Sequence, residues 1–147
     1  MGCITNVIYA ILINGAATPF FKGQRGLRQG CPLSPLIFLL VAEGLSQLIQ
    51  KARREGKVKG IEVAFNLYIS HLLFVDDILI FTNGESNEIK EIKNILDLFL
   101  KETRMQINSK KSQLIVAGVV RQERAQMQSL FPFQSCTMES PFKYLCF

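Results

Sequence analysis

Two adjacent carboxylates, Asp76 and Asp77, interrupt an otherwise apolar stretch, with Leu72-Leu73-Phe74-Val75 before them and Ile78-Leu79-Ile80-Phe81 after. Apolar runs of this length read as paired strands, which puts the acids at the bend of a hairpin and at the rim of a core. Ionised groups held there need compensation. Asp is a favoured turn residue, and a plain turn accounts for an isolated Asp-Asp. The alternative is magnesium, a hard cation held by one or two carboxylates together with substrate phosphates. In two-metal phosphoryl transfer the ions lie about 4 Å apart, one activating the attacking hydroxyl and the other stabilising the leaving oxygen. A rigid hairpin suits such ligands, because a misplacement of about 1 Å can cost roughly 100-fold in rate.

The elements that must hold these acids follow from the rest of the pattern. Residues 7–13 read as a strand, and Asn14-Gly15 followed by a second apolar stretch, 16–21, is a hairpin signal. Residues 22–31 are rich in glycine and basic side chains. Ser34 then stands as N-cap, with Pro35 at the first helical position. The helix it opens is apolar on all sides over 36–42, which predicts burial all round, and narrows to Leu45, Leu48, Ile49 and Ala52 at helical spacing. Gly56 is its stop, after Lys51, Arg53 and Arg54 at the negative end of the helix dipole. Strands resume at Ile61, and 67–81 forms the acid-bearing hairpin. Ser86 caps a second helix, with Ile89, Ile92, Ile95, Leu96, Phe99 and Leu100 on one face and an end before Met105. Short strands at 114–117 and 144–147 and a polar helix over 122–130 complete the pattern. With no internal repeat and no linker, it predicts a single α+β unit.

Composition agrees with one globular domain: 48% of the 147 residues are hydrophobic and 20% charged. Seventeen Lys and Arg against twelve Asp and Glu leave a formal charge of +5, which favours polyanionic partners without demanding them. Cys3, Cys31, Cys136 and Cys146 form no C-x-x-C pair and accompany a solitary histidine, so they read as reduced thiols of a cytosolic or nuclear protein, not a zinc site. The longest apolar run, 36–42, falls far short of the roughly 20 residues of a membrane span. The first six residues hold no basic segment, and Asn6 stands where a myristoylation signal has Ser or Thr, so no targeting signal is read.

Residues 74–77, 26–35, 107–112 and 143–145 together resemble the reverse transcriptases of LINE-type (non-LTR) retrotransposons, and the flanking residues 11–15 and Ala42-Glu43-Gly44-Leu45 resemble those of plants. Phe74-Val75-Asp76-Asp77 is similar to the family's aromatic-x-Asp-Asp motif. Gly26-Leu27-Arg28-Gln29-Gly30-Cys31-Pro32-Leu33-Ser34-Pro35 resembles its G-x-x-Q-G-x-x-x-S-P motif. Ile107-Asn108-Ser109-Lys110-Lys111-Ser112 resembles I-N-x-x-K-[ST], and Lys143-Tyr144-Leu145 the start of K-Y-L-G. The four stand in the family's order, and the likeness covers nearly the whole chain.

The resemblance implies an RNA-directed DNA polymerase. Its fold would be part of the palm subdomain of a right-hand polymerase, an antiparallel sheet whose catalytic hairpin packs against two helices. Asp76 and Asp77 would hold Mg2+ ions, and Lys111 would protonate the pyrophosphate leaving group. Gln29 and Gly30 would meet the template or incoming nucleotide, with Arg28 and Ser34 beside them. The expected partners are an RNA template, a DNA primer and dNTP, with no membrane and no oligomeric state implied. The family's upstream F-x-x-x-[FY]-D motif, source of a third carboxylate, is expected before residue 1, so the fingers and the thumb are expected to be missing. Cys31 stands where relatives often have Asp, and Cys146 where they have Gly.

Several residues keep a plainer reading. Ser34 serves as a helix cap, and Arg25, Arg28, Lys110 and Lys111 are equally well solvated charges. The cluster Lys51, Arg53, Arg54, Lys57 and Lys59 reads as a solvated helix end. His71 is structural, and Phe20, Phe21 and Tyr68 are core or sheet residues. Two other functions compete: a non-catalytic retroelement remnant that at most binds nucleic acid nonspecifically, and an unrelated magnesium-dependent phosphohydrolase, for which no further acidic ligands are arranged.

Overall fold

The computed structural model describes residues 7–23, 26–28, 30–118 and 121–136, with backbone alone at 121–123 and 126. The chain divides into two compact units, Met1–Glu43 and Gly44–Phe147, with the boundary inside the first helix.

In the first unit, β1 (Ile8–Tyr9) pairs with β4 (Phe21–Lys22), and β2 (Leu12–Ile13) with β3 (Ala16–Ala17), both antiparallel. The expected Asn14-Gly15 turn joins β2 to β3 with φ of 50° and 83°, the left-handed pair that a two-residue hairpin demands. The ribbon breaks into two pieces at Pro19, which has no N–H to give, while the Thr18 hydroxyl accepts a hydrogen bond from the Ile11 N–H. α1 (Ser34–Arg54) follows. Its apolar first half is not buried all round: Leu36 and Leu39 are exposed and Leu40 is 74% exposed, because the ring of apolar side chains is wider than the face that the described residues cover.

The second unit contains the rest of α1, where Leu45 and Ile49 are wholly buried. α1 ends as its sequence predicts. Gly56 takes φ 71°, its N–H bonds to the Arg53 carbonyl and the Lys57 N–H to the Ala52 carbonyl, a Schellman pair that satisfies the last carbonyls. β5 (Ile61–Ala64) pairs with β6 (Leu67–Ile69), and β7 (His71–Phe74) with β8 (Asp77–Ile80), both antiparallel. α2 (Ser86–Thr103) buries Ile89, Ile92, Ile95 and Phe99 and ends at Arg104 in the left-handed conformation. β9 (Gln113–Ile115), α3 (Arg121–Leu130) and β10 (Gln134–Cys136) form a crossover unit whose strands run parallel. Ile89, Val116 and Met127 pack together there with Leu114, Leu130 and Phe131. The expected strand at 144–147 lies outside the described residues.

The result is α+β, but the single antiparallel sheet is divided. Among the described residues the strands form five separate two-stranded ribbons, one of them parallel. β6 and β7 are separated by buried Ser70, and Gly60 lies directly against the Ile69–Ser70 backbone, so a loop occupies ground that another strand would need. No described helix is long and apolar enough to cross a membrane.

Candidate active site

The acid-bearing hairpin forms, with its bend one residue earlier than the apolar runs suggest. Phe74 pairs with Asp77, so the two bend residues are Val75 and Asp76, while Asp77 is the first residue of β8. Cross-strand register decides this. A two-residue bend needs a positive φ at its first position, and Val75 supplies it at 51°. A β-branched side chain there is strained, by about 1–3 kcal/mol. The acids are also exposed and not at the rim of a core, since Leu72, Phe74, Val75 and Ile78 around them are exposed too.

Among the described residues, neither acid is compensated by a cation. Among the described residues no hydrogen bond or ion pair reaches the side chain of Asp76 or Asp77. Other acids of the second unit are engaged: Glu55 and Glu91 with Lys57, Glu85 with Lys59, and Asp97 with Lys93. Two neighbouring like charges without a partner are a donor set open to a hard cation. Among the described residues no three His, Cys, Asp or Glu side chains come together as a metal site. The two carboxylates therefore suit a cation that takes its other ligands from phosphates and water.

The base of the hairpin is bound firmly. The Phe81 N–H bonds to the Ser70 carbonyl at 2.8 Å, extending the ladder beyond β7. His71, half-buried, has Nε2 2.9 Å from Ser46 Oγ on α1 and Nδ1 3.0 Å from Ser70 Oγ. This is the structural role expected of it. Gly60, at φ 80°, sits against Ile69 and Ser70, and its N–H and that of Lys59 donate to the buried Glu88 carboxylate at 2.8 and 3.0 Å. Glu88 also accepts from the Asn83 N–H at 3.2 Å, so the start of α2 is tied to the loop that leads into β5.

Lys111 lies in an exposed turn organised by Asn108. The Asn108 carbonyl accepts from the N–H groups of Lys111 and Ser112, and its side-chain oxygen from that of Lys110. No ion pair joins Lys111 to Asp76 or Asp77 among the described residues.

In the first unit, Gly26 and Gly30 take φ of 84° and 76°, and a Cβ on either would meet nothing within 4 Å. Conformation, not crowding, favours glycine there. Ser34 is buried, and its hydroxyl donates to the Arg28 carbonyl at 2.7 Å. It is the first helical residue, not the cap: the Leu33 carbonyl accepts the first helical bond, from Ile37. The Arg28 side chain is exposed. Gln29 and Arg25 lie outside the described residues, as do Cys3, Cys146 and the segment beginning Lys143.

The basic cluster behaves as a solvated helix end, since Lys57 and Lys59 are paired with acids and Lys51, Arg53 and Arg54 are exposed. Lys57 hydrogen-bonds Glu55, holding that carboxyl below its usual range, and the same bond raises the Lys57 pKa. Tyr68 and Phe21 are strand residues as expected, and Phe21 stacks at a tilt on Tyr9. Phe20 is 79% exposed and outside any strand, because it follows the break at Pro19. Cys31 and Cys136 are half-buried, and Cys136 is a free thiol.

Sequence reasoning missed three residues that shape the site: Val75, Ser46 and Glu88. Glu88 carried a faint signal, a carboxylate in the first turn of a helix on its apolar side. Ser46 carried one too, a small polar residue beside the buried Leu45.

Residues 2–147 match the family Reverse transcriptase (RNA-dependent DNA polymerase). The chain is also similar to an uncharacterized mitochondrial protein of Arabidopsis thaliana, 49% identical over 67 residues. That stretch covers 45% of this chain and 55% of the plant protein, so the chain spans about half the length of the curated relative. Since the family match takes in the acid hairpin, the loop before α1 and the Asn108 turn alike, the chain belongs to the reverse transcriptase (RNA-dependent DNA polymerase) family.

Proposed function

We propose that the chain is the palm portion of an RNA-directed DNA polymerase of the LINE type, with Asp76 and Asp77 as its magnesium ligands. The observation that carries this is the pair of carboxylates, without a partner among the described residues, at the tip of an anchored antiparallel hairpin in a member of the reverse transcriptase family. Magnesium, when bound, would sharpen a primer 3′ hydroxyl and offset charge on the departing pyrophosphate. Asp76, at the bend, is the first ligand, and Asp77, fixed by its ladder pairing with Phe74, is the second.

The remaining roles are those that the family resemblance implies, and exposure and charge are compatible with them. Arg28, an exposed residue, meets a phosphate of template or nucleotide. Ser34 holds the Arg28 carbonyl and so shapes the loop, Gly30 lets a nucleotide approach the backbone closely, and Gln29 meets the template or incoming base. Lys111, exposed on its turn, donates the proton that the leaving pyrophosphate takes up. RNA template, DNA primer and dNTP are the proposed substrates.

Two carboxylates from one hairpin fall short of a full two-metal donor set, so residues 1–147 alone do not extend a primer. The test joins this chain to an upstream segment bearing the family's F-x-x-x-[FY]-D motif and measures template-directed extension. Extension that is abolished by Asp76→Asn supports the assignment, and extension that survives it refutes the assignment. The second reading, a remnant that binds nucleic acid by charge alone, draws on the +5 net charge. It predicts no extension in the joined protein, and binding whose logarithm falls linearly with the logarithm of salt concentration.

A further inference from the structure

We propose that His71 is a positioning residue, which aims the acid-bearing tip by holding the base of the β7–β8 hairpin to α1 through Ser46. The inference rests on reading Asp76 and Asp77 as metal ligands. His71 stands three positions before Phe74, the partner of Asp77. At roughly 3.3 Å per residue the hairpin is therefore a lever about 10 Å long. A rotation of about 10° at its base moves the tip by roughly 2 Å, and errors of about 1 Å already cost about 100-fold in such chemistry.

Little along the lever resists that rotation. Leu72, Phe74, Val75 and Ile78 are all exposed, so side-chain packing near the tip is thin and restraint falls to the base. There the imidazole is held on both sides, by Ser46 Oγ at Nε2 and by Ser70 Oγ at Nδ1, and both serines are buried. The Gln50 amide donates to Ser46 Oγ at 3.3 Å, which steadies the hydroxyl from one helical turn away. A hydroxyl donates or accepts, so these two partners satisfy either imidazole tautomer and keep the ring in place. Phe or Leu would fill the same space in a strand and bind neither serine.

The test uses the 147-residue chain, isotope-labelled, with Mn2+ as the paramagnetic probe. In the wild type, Mn2+ broadens the amides of Asp76 and Asp77. In His71→Phe and in Ser46→Ala the apparent Kd for that broadening rises about 10-fold, a usual consequence of losing a supporting hydrogen bond around a metal site. Amide exchange within α2 stays unchanged. His71→Gln, whose amide reaches the place of Nε2, restores the Kd to within about two-fold of wild type.

An unchanged Kd in His71→Phe overturns the proposal. So does a loss of protection spread evenly over α1, α2 and the ribbons, which is what a residue serving stability alone would give. If His71→Phe does not fold, Ser46→Ala carries the test, since it removes one hydroxyl and no bulk. If Mn2+ fails to broaden Asp76 and Asp77 in the wild type, the metal reading fails by itself. His71 is then judged from residual dipolar couplings of residues 75–77 measured against α1. A changed orientation in His71→Phe supports the positioning role, and an unchanged one refutes it.

Discussion

Gly60 and Ile69 approach so closely that a Cβ on the glycine would stand 2.2 Å from the Ile69 carbonyl oxygen. The obstacle is backbone, which cannot swing aside, and Gly60 also has φ of 80°. Gly60→Ala is therefore expected to cost about 3 kcal/mol, combining left-handed strain with displacement of the strand. Gly44→Ala is the control. It lies inside α1 with nothing within 4 Å of a Cβ, so alanine should stabilise by about 0.5–1 kcal/mol. Urea denaturation of the two variants checks both signs.

Val75 is a β-branched residue at φ 51° in the bend next to Asp76. Val75→Gly removes the steric conflict, and since the valine side chain is exposed it forfeits little packing. Stability should rise by about 1 kcal/mol after the entropy cost of glycine is subtracted. A lower midpoint of chemical denaturation in this variant would show that the bend carries no strain.

Glu88 is buried and takes three backbone N–H bonds, from Lys59, Gly60 and Asn83. In Glu88→Gln one carboxylate oxygen becomes an amide nitrogen, which turns a donor toward donors. The expected loss is about 2–3 kcal/mol, the scale of a charge-assisted bond with a buried donor left unpaired. Hydrogen exchange should localise the damage to the N–H groups of Lys59, Gly60 and Asn83, and uniform loss of protection would argue against this account.

The Glu55–Lys57 pair sets a small pH dependence. The hydrogen bond and charge of Lys57 hold the Glu55 carboxyl below its usual range, so the stabilisation is present above the unfolded carboxyl pKa and fades as pH falls through the folded one. Glu55 and, more weakly, Glu91 raise the pKa of Lys57, so on the alkaline side it is present below the unfolded lysine pKa and fades as pH rises through the folded one. In Lys57→Met the Glu55 carboxyl should titrate at higher pH, as followed by carbon NMR. The melting temperature near neutrality should scarcely move, because both groups are solvent-screened.

Elements governed by local chemistry were legible in the residues. The Asn14-Gly15 turn, the Gly56 stop of α1 and the apolar face of α2 all stand where their types predict. Both helix starts were misplaced by one residue for a shared reason. Ser34 and Ser86 were assigned as caps, yet the Ser34 hydroxyl goes to the Arg28 carbonyl, and at α2 the cap position is Glu85. What depends on partners distant in sequence was hidden. The bend at Val75 follows from the pairing of Phe74 with Asp77, and β10 has no apolar run to announce it because its place is set by β9 across α3. Of the proposed site, Asp76, Asp77, Lys111 and the glycine-bearing loop were named from type, order and family resemblance. The supports at Ser46 and Glu88 were not, since a small hydroxyl and a first-turn acid look ordinary until a strand or loop is brought against them.

Pairing strands only two by two has a cost in handling. Among the described residues every strand has one neighbour, which leaves a row of N–H and C=O groups on its other side open to solvent or to another chain. On β5 and β6 that raw edge comes with Val63, Phe65 and Leu67 exposed beside it. Concentrated samples of this polypeptide should therefore self-associate by adding strand to strand, and light scattering should rise with protein concentration before any loss of helix signal.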